Sequence, residues 1–153
     1  GRLAARVRTD EVVRRYARCI LAEARLFTGD AVEALEITAA MDGPPSIKAF
    51  ALGVRIAAQV ALRRQSDSSL EDAFDLLNAP DVAVGTKLGL YSAVTRALEW
   101  RGEHARVLAL RREARGMISR LSDTLEPALR TRFLTHWNAR LEAGVRVKTK
   151  STR

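Results

Sequence analysis

The chain has 153 residues, 47% apolar and 29% charged, which suits one domain with a buried core and excludes a disordered chain. Of its net charge of +8, the first eight residues (Arg2, Arg6, Arg8) and the last eight (Arg146, Lys148, Lys150, Arg153) hold nearly all, so the body is close to neutral. No run approaches the roughly 18 apolar residues of a membrane span. Residues 1–10 also lack the apolar block of a signal peptide, so a cytoplasmic protein without membrane contact is expected.

Abundant Ala, Leu and Arg favour helix throughout. The spacing predicts a first helix over residues 9–28, capped by Thr9 or Asp10. Its inward stripe is expected to be Val13, Tyr16, Ala17, Ile20, Leu21, Ala24 and Phe27, at steps of three and four. Gly29 ends it, because glycine closes a helix in the left-handed conformation at little cost. Asp30 then caps a second helix over 31–41, with Glu33 at capping-box spacing. "DGPP" at 42–45 breaks that helix. Ser46 is expected to cap a third, reaching about residue 65, with Ile47, Phe50, Ala51, Val54, Ala57, Ala58, Ala61 and Leu62 on its apolar face. A short fourth helix spans 70–77, and "NAPDVAVG" at 78–85 separates it from a fifth that stops at Gly102. A sixth follows over 103–121. A seventh starts near 124, with Leu125, Leu129, Phe133, Trp137 and Leu141 at four-residue steps, and ends at Gly144.

Gly29 and Gly102 lie 73 residues apart, twice a period of about 36. Helices paired by short turns at that period predict stacked hairpins, since no pair buries its apolar face alone. The expected fold is an all-α, right-handed superhelix of about three hairpins with a C-terminal capping helix. The expected domain covers 9–144, between a basic extension (1–8) and a basic tail (145–153). The Gly start, in place of Met, points to an excised piece of a longer chain.

These residues resemble the tetratricopeptide repeat over about 10–121. Ala22, Gly29, Asp30 and Ala34 match one copy, and Gly102, Glu103 and Val107 match another. In the middle copy Ala73 stands in the small-residue place but Ser68 replaces the turn glycine. "LEPALRTRFLTHW" (125–137) is similar to the end of helical-repeat arrays in large bacterial signalling ATPases and transcription regulators. The resemblance implies a groove lined by the first helix of each pair, taking a peptide or partner helix. Its positions fall on Tyr16, Cys19, Glu23 and Phe27, on Arg55 and Ala58, and on Ser92, Arg96, Glu99 and Trp100. Trp and Arg commonly anchor interfaces, although Trp100 packed on the next turn and a solvated Arg96 would serve structure alone.

Nothing in the sequence points to catalysis, a cofactor or a metal. There is no phosphate loop and no paired-Cys or His-Glu-x-x-His spacing. The one cysteine, Cys19, reads as a packing residue. His104 and His136 are the only histidines and read as solvated or groove residues. The expected activity is therefore non-enzymatic: protein or peptide binding in a regulator, with self-association a further option. The alternative is nucleic-acid binding by the basic second half and tails, through Arg111, Arg115, Lys148 and Lys150. No aromatics interleave these arginines for base stacking, which favours the protein-binding reading.

Overall fold

A computed structural model describes residues 2–64 and 66–142, so the C-terminal tail expected at 145–153 and the Gly144 stop lie outside the described residues. The protein is all-α: the described residues form seven helices and no strand. They are α1 (Arg2–Phe27), α2 (Ala31–Thr38), α3 (Pro45–Ala61), α4 (Asp67–Asn78), α5 (Val84–Trp100), α6 (His104–Ser122) and α7 (Pro127–Glu142). They divide into two compact units, Gly1–Val94 and Thr95–Arg153, the division falling within α5.

In the first unit, α1 corrects two expectations. It starts at Arg2, so neither Thr9 nor Asp10 caps it; the Thr9 hydroxyl donates to the Ala5 carbonyl (2.9 Å), an ordinary bond inside a helix. Its buried residues are Cys19 and Ala22, while Val13, Tyr16, Ile20, Leu21 and Phe27 of the expected stripe are exposed. Small side chains decide this. Ala22 packs with Ala31, Ala34, Val54 and Ala58, and Cys19 with Ile47 and Ala51, so α1, α2 and α3 meet through residues that allow close backbone approach. Larger residues on that side of α1 would hold the helices apart.

The turn between α1 and α2 forms as its residues require. Gly29 has φ +94°, and the Asp30 amide donates to the Arg25 carbonyl (2.9 Å), closing α1. The Glu33 amide donates to the Asp30 side chain (3.0 Å), which caps α2. The Glu33 carboxylate does not return the bond but pairs with Arg25 (3.2 Å). Ser46 does not cap α3: Pro44 holds that position, with a Pro in the first turn where no amide is needed. The Ser46 hydroxyl instead donates to the Asp81 carbonyl (3.4 Å) and accepts from the Ala83 amide (2.9 Å), fixing the loop before α5. α3 is buried on several sides, adding Ala49, Leu52 and Ile56 to the expected face.

In the second unit the turn at Gly102 (φ +77°) repeats the geometry at Gly29, the Glu103 amide donating to the Leu98 carbonyl (2.9 Å). α6 buries Val107, Leu110, Ala114, Ile118 and Ser122, with Met117 and Leu121 half-buried. α7 begins at Pro127 and buries only Leu141; Leu129 is exposed, and Phe133 and Trp137 are half-buried.

Candidate functional site

Tyr16 and Phe27, two of the expected contact residues, lie with Val13 and Ile20 on one exposed apolar stripe of α1. Phe27 is 73% exposed, and Leu3 (82%), Val7 and Leu21 are exposed on the adjoining side of the helix, alongside Asp10, Arg14 and Arg18. Tyr16 is anchored at its base by an edge-on contact with Phe50, ring centres 5.6 Å apart. Glu23 is half-buried beside this surface. Exposed apolar residues scattered singly are ordinary, but a patch along one helix is the usual mark of an interaction surface. Leu3 and Val7 are not legible as surface contacts in the sequence, where residues 1–8 read as a basic extension. Their four-residue spacing gave little signal, because Asp10, Glu11 and Arg14 hold the next positions on that side of the helix.

Arg55 lies apart from that surface. It borders a recess of about 360 Å³ with Met41, Lys48, Leu52, Asp72 and Asp75, floored by apolar side chains. Ser92, in the same unit, is only 4% exposed, so it offers no surface to a partner. A single sequence gives the phase of a helix but not how many neighbours cover it, and α5 is buried almost all round from Leu90 to Thr95.

In the second unit Arg96, Glu99 and Arg111 form a half-buried polar cluster. The Glu99 carboxylate accepts from Arg111, whose Nε also reaches the Leu141 carbonyl (3.3 Å). The Arg96 Nε and the second Glu99 oxygen are buried without a partner. Burial, then the charge of Arg140, pulls the Arg96 pKa down, against the opposing pull of Glu99. Trp100 is half-exposed at the end of α5. The Arg140 guanidinium stands over the Trp137 ring (5.2 Å), and His136 meets that ring edge-on.

Arg111, expected as a phosphate contact, directs Nη2 to Glu99 and Nε to the Leu141 carbonyl, and its side chain is 13% exposed. Arg115 pairs with Glu142 (2.8 Å) but stays half-exposed. Lys148 and Lys150 lie outside the described residues. Cys19 is fully buried, and burial pushes its thiol up to about 11, so it stays a neutral packing group rather than a groove residue. Among the described residues no group of three or more His, Cys, Asp or Glu could hold a metal ion, and no helix is long and apolar enough to cross a membrane.

Comparison with family models, with curated proteins and with solved structures gave no match.

Proposed function

We propose that this chain is a non-enzymatic protein-interaction domain of the tetratricopeptide-like kind, part of a larger cytoplasmic bacterial regulator, and that it docks a partner helix on α1. The apolar surface of α1 carries this reading. Among the described residues Leu3, Val7, Val13, Ile20 and Phe27 stand in solvent on this one helix, whereas the other exposed large apolar residues, Val32, Val84, Trp100, Leu108 and Leu129, are spread over four helices. The recurrence of one turn geometry at Gly29 and Gly102 supports the repeat assignment. Involvement of Arg111 in the second unit's own cluster weakens the nucleic-acid alternative.

Affinity capture from the source cell, with and without nuclease and eluted in a salt series, tests the reading. A protein is expected to stay bound after nuclease, and to be lost when Ile20→Asp and Phe27→Asp are combined. Recovery of nucleic acid alone, released by modest salt, would overturn it, as would capture that the double variant leaves unchanged.

A further inference from the structure

We infer that the helix docked on α1 is acidic along one flank; this rests on the docking reading above. Val13, Ala17, Ile20, Ala24 and Phe27 are all exposed and recur at steps of four and three, the seam spacing of two helices packed along their length. The large residues alternate with Ala17 and Ala24, leaving notches into which a neighbouring helix can set its own side chains. An extended peptide would have no use for that periodicity.

Charge selects the partner. Arg14, Arg18 and Arg25 line one side of the seam, with Asp10 one turn before Arg14 on that side and Tyr16 and Glu23 on the other. Arg25 is held by Glu33 (3.2 Å), but Arg14 and Arg18 make no ion pair among the described residues. Arg2 and Arg6, near the N-terminal end of the same face, are also without one. Their long stems can lie along the seam and bring the guanidinium groups to carboxylates at its edge.

The same observations disfavour the two other occupants. α1 carries seven arginines against three carboxylates, so two copies laid together would set like charges side by side. An anionic bilayer would attract basic groups on both flanks equally, whereas here one flank carries Glu23.

The test uses two synthetic amphipathic helices of about 28 residues, each with leucine at the seam positions, one flanked by glutamate and the other by lysine. Binding is read by fluorescence anisotropy at 50 mM and 500 mM salt. The glutamate helix is expected to bind at least about tenfold more tightly at low salt, with the gap closing at high salt. Arg14→Glu combined with Arg18→Glu should erase or invert the preference, while circular dichroism shows the fold intact. Ile20→Asp with Phe27→Asp should weaken both helices. Equal affinity for the two would overturn the charge inference and leave helix docking standing. Binding of neither would remove docking and the inference together. A dimer in sedimentation that Phe27→Asp dissolves would make a second copy the occupant. Binding to phosphatidylserine vesicles that depends on Arg14 and Arg18, with neither helix bound, would make it a membrane surface.

Discussion

The two units are held together by different means. In the first, α1, α2 and α3 close on alanines: Ala22, Ala31, Ala34, Ala51 and Ala58 are buried, with hardly a polar group among them. In the second, arginines tie the ends of helices. Arg111 joins Glu99 to the Leu141 carbonyl, and Arg130 donates to the carbonyls of Ser122 (2.9 Å) and Leu125 (3.3 Å) at the start of α7. Close apolar packing needs little from side-chain length, so the first unit leaves its large apolar residues on α1 free for an outer surface. Arginine ties are directional and occupy the charges that carry them. Arg111 is consequently less available to phosphates than composition suggests.

Substitutions can break that contrast. The largest loss is expected from Arg111→Ala, which strands a Glu99 side chain only 16% exposed; removing one member of a buried pair costs about 3 kcal/mol. Urea unfolding should show it, and adding Glu99→Leu should restore most of it. If Arg111→Ala is silent, the tie is not what holds the second unit. Ala22→Leu comes next. It inserts bulk where α1 meets α2 and α3, and overpacking of this kind costs about 2 kcal/mol. The same change at exposed Ala17 or Ala24 should cost almost nothing, which separates the packed side of α1 from its outer side.

Smaller effects sharpen the comparison at the backbone. Gly29→Ala should lose about 1 kcal/mol, because φ +94° is strained for any residue with a Cβ. Gly53→Ala should gain about 0.5 kcal/mol. Its new methyl would sit 3.7 Å from Leu90 Cα, an ordinary contact, while alanine raises the helix propensity of α3. Opposite signs at two glycines, read from thermal melts, would separate the turn glycine from the merely tolerated one.

The chain order of seven helices was legible in the sequence, because each break rests on local chemistry. Gly29 and Gly102 take positive φ, the Asp30 side chain reaches an amide three residues on, and Pro44 and Pro45 permit α3 to start but not to be entered from α2. Such signals act within one turn of backbone, so neighbouring residues suffice to read them. Which face of α1 turns inward was not legible. Apolar residues occupy more than half of its circumference, and the choice between them depends on how closely α2 and α3 can approach. Cys19 and Ala22 won by being small, a criterion that hydrophobicity alone ranks last. The same holds for the contact residues. Tyr16 and Phe27 are exposed and Ser92 is covered for reasons that lie on other helices. Local sequence determined the order of the helices and the turns at Gly29 and Gly102, though not where α1 begins. Only the tertiary structure decided which side chains are left facing solvent, because burial belongs to pairs of surfaces and a periodic pattern describes one surface at a time.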